Sequence, residues 1–428
     1  MSEATATGIP AVLPSGGDPT YPDATWVAAI DETELAGPIT LSGLSGYRAA
    51  RLLVRSGRVP RGFVELAVHD GRVDPAALAR AVAGLPPGRA PSAGPCPPIS
   101  VVLCTYDRPA LLATALRSLV ELDYPEFEIV VVDNHPQSGL TPPVIAALGD
   151  VRVRLVTEPR RGLARARNRG VLAARHGLVA FTDDDVLLDR WWLRGVADGF
   201  AAGADVACVT GIVASGEIVS PAQAYFDRRV SWATRCQPDL FSLRRERPDE
   251  PLFPFQVGRF GTGANFAVRV DALFALGGFD ERLGVGSAAG GGEDIDLFVR
   301  ILLAGHELAY APTALVWHRH RRDVASLSRQ ITDYGTGLGA WMTKLALDRQ
   351  TLRMMCRRLW PGLVHYRRIT ADRSPGAAGP IDLHRLGRIE RRAVLRGPVA
   401  LLRAHRAGGR PRPLDPCSRP VVDTKEDR

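Results

Sequence analysis

Lysine is nearly missing from this sequence: Lys344 and Lys425 are the only two among 54 basic residues in a chain of 428. Positive charge carried almost wholly by arginine is what a biased base composition produces, so the net charge of +8 argues only weakly for a polyanion partner. No nucleic acid is expected, and the surplus after Trp317 reads as a solvated or membrane-grazing face. Cysteine is sparse as well. Cys96, Cys104, Cys208, Cys236, Cys356 and Cys417 are scattered without a C-x-x-C pair, which argues against a structural zinc site and a secreted disulfide framework. No apolar run reaches the length of a membrane span. The opening residues lack the basic start and apolar core of a signal peptide, so a cytoplasmic chain is expected.

What is present is an ordinary globular balance, 46% hydrophobic and 23% charged, enough to bury a core. Residues 1–36 are rich in Pro, Gly, Ala and Thr and read as disordered. Residues 37–85 read as a small α/β appendage: GYRAARLLVRSG as a short amphipathic helix closed by Gly57, FVELAV as a strand, and DPAALARAVAGL as a helix capped by Asp74 with Pro75 in its first turn. A Pro-rich linker, 86–98, leads to the main domain, 99–322. There ISVVLCTY, FEIVVVDN, VRLVTE and GLVAFTDDDV read as strands, with helical spacing in PALLATALRSLVEL and GLARARNRGVLAARH between them. Apolar strands alternating with helices predict an α/β fold with a mostly parallel sheet covered on both faces. A helical extension, 323–370, and a basic, mostly flexible tail, 371–428, follow.

Three polar clusters fall at strand carboxyl ends, where such sheets bind ligands: Thr105 to Arg108, Asp133-Asn134, and Asp183-Asp184-Asp185. Clustered carboxylates need a positive partner. A hard divalent cation holding a diphosphate suits them, as against a solvated turn or a cap for the helix near Asp189. Glu293-Asp294 follows a glycine-rich stretch and opens a helix whose dipole tolerates anions; the plain alternative is a helix cap. His318, ahead of His320, is the better candidate for a metal ligand from a distant part of the chain. Arg167 sits on a basic helix that offers phosphate-binding forks or a solvated face.

The order of these blocks is more specific than any one of them. PISVVLCTYDRPALLATALRSL, EIVVVDN, RGLARARNRG, LVAFTDDD, GTGANFAVRVDALFALGGFDERLG and GGEDIDLFVRILLAGHELAYAPTALVWHRH together resemble a family 2 glycosyltransferase of the GT-A, Rossmann-like fold, over roughly residues 98–322. That resemblance implies inverting transfer of a sugar from a nucleotide-sugar donor, most often UDP-linked, to a hydroxyl acceptor, with Mn2+ or Mg2+ as cofactor. It assigns Thr105, Tyr106 and Arg108 to the base and ribose pocket, Asp133 to the base, and Arg167 to the donor. Asp183 and Asp184 would touch ribose and diphosphate, with Asp183 also near the metal. Asp185 is similar to the closing acid of a metal-binding D-x-D element, and His318 to a metal ligand found in part of the family. Asp294 is similar to the catalytic base, with Glu293 positioning the acceptor, and Asn265 would shape the sugar pocket. The loop Gly284–Gly292 would close over the donor.

A sugar-nucleotide nucleotidyltransferase is the rival enzyme class, but it needs a basic glycine-rich loop where this chain has CTYDRP. A non-catalytic nucleotide-sugar binder is the other alternative. After His320 the chain reads as helical and basic. Trp341, Met342, Leu345, Leu347, Leu352 and Met355 would pack on the domain, or touch the inner face of a membrane peripherally.

Overall fold

A computed structural model of the chain describes residues 9–14, 18–36, 41–88, 94–230, 233–245, 247, 250–358, 382–408 and 414. Four strands form a separate N-terminal sheet in the order β1-β2-β3-β4: β1 (Thr25–Asp31), β2 (Ala49–Ser56), β3 (Val59–His69) and β4 (Arg72–Val73). Two expectations are corrected here. Residues 25–31 are a strand, burying Trp26, Ala28 and Ile30 on alternate positions. GYRAARLLVRSG holds a strand where a helix was expected: Ala50, Leu52 and Val54 alternate inward at period two, and Gly57, at φ +56°, turns the chain into β3. The run is too short to sustain helical periodicity against that pairing. Helix α1 (Pro75–Ala83) does start at Asp74, whose side chain accepts from the Ala76 N–H. The N-terminal sheet is tied to the main domain by ion pairs, Arg51 to Asp227 at 2.8 Å and Arg55 to Asp189 at 2.7 Å.

The main sheet has nine strands among the described residues: β5 (Ile99–Thr105), β6 (Phe127–Asp133), β7 (Val153–Thr157), β8 (Leu178–Asp183), β9 (Val186–Leu188), β10 (Val206–Ser215), β11 (Asp239–Phe241), β12 (Asn265–Arg269) and β13 (Glu307–His318). Its order is β11-β13-β10-β12-β8-β5-β6-β7, with β9 on β13. The half from β8 to β7 is parallel as expected. The other half is mixed, because β12 runs antiparallel between β8 and β10. Alternate side chains of β5 enter two cores: Val101 and Leu103 face α2 (Pro109–Val120) and α5 (Trp192–Ala201), while Val102 faces α4 (Leu163–Ala173) and α8 (Glu293–Leu303). Helices α3 (Thr141–Leu148), α6 (Pro221–Arg229) and α7 (Val270–Ala275) complete the domain. The chain steps from β5 outward to β6 and β7, then returns to β8 on the opposite side of β5. That reversal opens a crevice at the carboxyl ends of β5 and β8.

Two long helices close the described chain. Helix α9 (Val324–Leu347) buries Trp341 and Leu345 and leaves Met342, Leu347 and Leu352 beyond it exposed. Helix α10 (Leu383–Arg406) corrects the expectation of a flexible tail: Asp382 caps it by accepting from the Arg385 N–H at 2.9 Å, and Leu386, Ala393, Ala400, Leu401 and Ala404 form its buried stripe. The calls on 359–370, 371–381 and the last residues, Leu414 excepted, lie outside the described residues. The two helices lie side by side with backbones nearly touching. A Cβ on Gly339 would sit 2.0 Å from the Val394 carbonyl oxygen, and one on Gly397 would sit 2.1 Å from Gly339. Small residues four apart on each helix, Gly335 and Gly339 against Ala393 and Gly397, permit that approach. On its other side α9 meets the loop 284–292, where a Cβ on Gly337 would lie 2.6 Å from Gly291. Gly290 and Gly292 let the end of this loop lie against α9, while Gly284 and Gly286 sit against Glu293 and the start of α4.

Candidate active site

The strand-end acids are delivered by pairing. Asp183 is the last residue of β8, and Asp184 and Asp185 form the turn into β9. Because β9 pairs antiparallel with β13, with Val186 opposite His318, the imidazole comes to the last acid: His318 Nε2 lies 3.1 Å from Asp185 Oδ1. Asp184 accepts from the Thr105 hydroxyl at 2.8 Å and from Arg108 at 3.0 Å, and Arg108 also reaches Asp185 at 3.1 Å. Arg108 is thus tied to the acids, with its side chain still 36% exposed. Burial and the neighbouring Asp185 push the Asp184 carboxyl up to about 6. Burial also acts against ionisation of Asp185, but His318 and Arg108 outweigh it and hold that carboxyl well below the usual range. Asp185 in turn raises His318 against the effect of burial.

A second group of acids arrives on α8. Gly292, at φ +92°, makes the turn into the helix, where a side chain would be strained. Glu293 Oε1 accepts from Arg167 Nη1 at 2.9 Å, and Arg167 Nη2 donates to the Gly263 carbonyl at 2.8 Å and reaches Asp183 at 3.4 Å. Arg167 is 2% exposed. It ties the two acidic groups together at the cavity wall. Asp294 accepts from the Gly263 N–H at 2.7 Å and the Ile295 N–H at 2.8 Å. Burial and the adjacent Asp294 push the Glu293 carboxyl up to about 7 despite Arg167.

At the ends of β5 and β6, Tyr106 stacks on His135 with ring centroids 4.9 Å apart and planes 5° from parallel. Asp133, buried at the end of β6, accepts from the His135 N–H at 2.9 Å. His135 was missed from sequence, although it directly follows the Asp133-Asn134 pair that ends its strand. Asn265 is a correction. It is fully buried in β12, where its amide donates to the carbonyls of Ile212 and Ala314 and its oxygen accepts from Trp192 Nε1, each at 2.8 Å. It serves polar groups beside the register shift between β10 and β13 and is not a wall of any pocket.

A depression of about 1290 Å³ lies at the opposite, amino ends of the strands and has Asp271 as the only acid among its lining residues. A smaller cavity, about 320 Å³, is lined by Arg167, Asp183, Glu293, Asp294 and His318 together. Chemistry, not size, identifies the site. Among the described residues no three metal-ligating side chains are grouped to hold an ion. Asp185 with His318 is nevertheless a carboxylate–imidazole pair of the kind a borderline divalent cation takes.

Residues 100–276 match the family model described as Glycosyl transferase family 2. It is 30% identical over 229 residues to the pre-mycofactocin glycosyltransferase of Mycobacterium tuberculosis H37Rv, covering 52% of this chain and 42% of that one. It is 24% identical over 190 residues to the glucosyl-dolichyl phosphate glucuronosyltransferase of Haloferax volcanii, 44% of this chain and 57% of that protein. The chain thus spans about half the length of these relatives. It also overlays on a mannosyltransferase from Pyrobaculum calidifontis solved with GDP-Man and Mn2+, at TM-score 0.45 and 20% identity, over 77% of this chain and 91% of that one. At that distance the likeness says nothing of this chain's ligands.

Proposed function

We propose that this chain is an inverting glycosyltransferase that uses a nucleoside-diphosphate sugar, UDP-linked as the first choice, and transfers the sugar to a hydroxyl. The observation that carries the reading is the single cavity at the β5/β8 reversal that holds Asp183, His318 and the α8 acids together. A divalent cation bound by Asp185 and His318, with Asp183 beside them, would neutralise charge on the diphosphate.

The rest is the work of the chain's own groups. Tyr106 and His135 offer a flat stacked surface at the edge of β5 and β6 for the base, next to Asp133. Arg167 fixes Asp183 and Glu293 in one frame. Asp294, whose carboxylate is oriented by two backbone N–H groups, accepts the acceptor proton as the acceptor oxygen bonds to the anomeric carbon. The bond from that carbon to the diphosphate breaks with its electron pair, and the nucleoside diphosphate leaves from the opposite face, inverting the centre. Within the same proposal the chain acts in the cytoplasm. Peripheral membrane contact would fall to the exposed Leu395, Val399 and Leu402 of α10; among the described residues no helix is long and apolar enough to cross a membrane.

Thermal shift with a panel of nucleoside diphosphates, with and without Mn2+, tests the reading. One nucleotide should stabilise the chain in a Mn2+-dependent way, by about 2.7 kcal/mol at a hundredfold excess over its Kd, and Asp185→Ala should abolish the shift. No stabilisation by any nucleotide would overturn the proposal.

A further inference from the structure

The cavity does not end at the acids. Beyond Asp294 its wall is built by α6, α8, α9 and the loop after β11, through Phe226, Val230, Val257, Ile295, Tyr334 and Leu338. Tyr334 is placed beside the start of α8, since a Cβ on Gly291 would come within 4.0 Å of its ring. Phe226 continues the surface, its ring centroid 6.4 Å from that of Tyr334 and 4.6 Å from that of His320. This wall holds few polar side chains, and most of them pair with a neighbour. Arg229 on α6 is ion-paired with Glu390 on α10, and Gln330 Nε2 donates to the Tyr334 hydroxyl at 3.0 Å. The apolar surface also reaches solvent, with Tyr334 50% and Val257 51% exposed.

Taking the proposed transfer reaction as given, we propose that this wall is the acceptor subsite and that the acceptor presents its hydroxyl on an apolar body, alkyl or aryl. An oligosaccharide buries many hydroxyl groups and needs a hydrogen-bond partner for each one desolvated. This wall provides almost none that are not already engaged. An apolar body beside the reacting hydroxyl instead gains from displacing water off the exposed Tyr334 and Val257, and its hydroxyl is delivered to Asp294 at the near end. Helix α10 contributes without touching the reacting atoms. Its close crossing on α9 holds Tyr334 and Leu338 in place, and Glu390 keeps the Arg229 charge from facing the acceptor.

The test uses the full chain with Mn2+ and a panel of nucleotide sugars. Transfer to octyl glucoside below its micelle concentration and to 4-nitrophenyl glucoside is compared with transfer to glucose and maltotriose. One or both amphiphiles should be used with kcat/KM at least tenfold above the free sugars, and which one is preferred distinguishes an alkyl from an aryl body. Val257→Asn, on an exposed loop, and Tyr334→Ser should each raise KM for the preferred amphiphile at least fivefold while leaving the nucleotide-induced thermal shift unchanged. Equal use of glucose or maltotriose, or donor hydrolysis without transfer to either amphiphile, would overturn the acceptor inference while the transferase reading stands. So would variants that leave the preference intact. Failure to bind any nucleotide would instead strike the transferase reading itself.

Discussion

The strand-end side of the cavity presents Asp183, Arg167 and His318, with Asp184, Asp185 and Arg108 joined to them in one network in which every charge lies within reach of an opposite one. The helical side presents Phe226, Tyr334 and Leu338, and its one ion pair, Arg229 with Glu390, bridges α6 to α10. The first side is organised to receive a charged molecule and shift its protons; the second is organised to exclude water. Asp294 stands where they meet. A reaction that joins a highly charged donor to a hydroxyl needs both environments within one cavity, and here they come from different parts of the chain.

The largest expected effect divides the two sides. Asp294→Asn should lower the transfer rate by about 10²–10⁴-fold, while the nucleotide-induced thermal shift persists; loss of that shift too would show that the sides are not separable. Asp185→Ala should come next, lowering kcat by about 10²–10³-fold and removing the Mn2+ dependence, with no change in acceptor preference among any residual products. Gly339→Ala attacks the helical side from behind. Its Cβ would meet the Val394 carbonyl oxygen at 2.0 Å, so the chain should lose about 1–3 kcal/mol in denaturant unfolding, and KM for the acceptor should rise more than that for the donor.

The smallest effect is a pH slope. Glu293 is held at about 7 against an ordinary 4.5. The folded chain therefore keeps a proton between those values, and this stabilisation is lost as pH rises through about 7. His318, also raised, acts in the same direction, while His320, pushed well below its ordinary value by burial and by His318, acts in the opposite one. The fall in Tm of wild type between pH 5 and 8 should become shallower by a few degrees in Glu293→Gln; an unchanged slope would mean that Glu293 is ionised throughout.

The charged side was legible in the sequence because each of its acids directly ends an apolar run or opens a helix, so local pattern alone puts them at one sheet edge. Thr105, Asp133, Asp183 and Glu293 were all found in this way. Their partners were harder to read. Arg167 lies in RARNR, which looks like a solvated basic face, and only the packing of Phe266 and Phe279 around its guanidinium, with centroids 5.4 and 5.7 Å away, makes it a core residue. Asn265 was misplaced because its partners, Trp192, Ile212 and Ala314, come from three remote segments that converge only in the mixed half of the sheet. The apolar side was barely read: the segment PAQAYFDRRVSWATR, which holds Phe226 and Val230, reads as core packing or as a surface for a sugar ring. Leu338 and Tyr334 look like any helix stripe, and α10 is hidden by seven arginines and a proline in the segment Leu383–Arg406. Its fit to α9 depends on missing side chains at Gly339 and Gly397, a property of the pair and not of either helix.

The order in which these parts are made gives the α9–α10 contact a further consequence. Helix α9 is complete about sixty residues before the last turn of α10 is synthesised. At about 5–20 residues per second, the nascent chain spends roughly 3–12 s with its carboxylates made and its apolar wall without the helix that braces it. During that interval the face of α9 that carries Gly335, Gly339 and Ala340 is bare. A chaperone or a second nascent chain would meet the protein there first, and the arrival of α10 both finishes the pocket and withdraws that invitation.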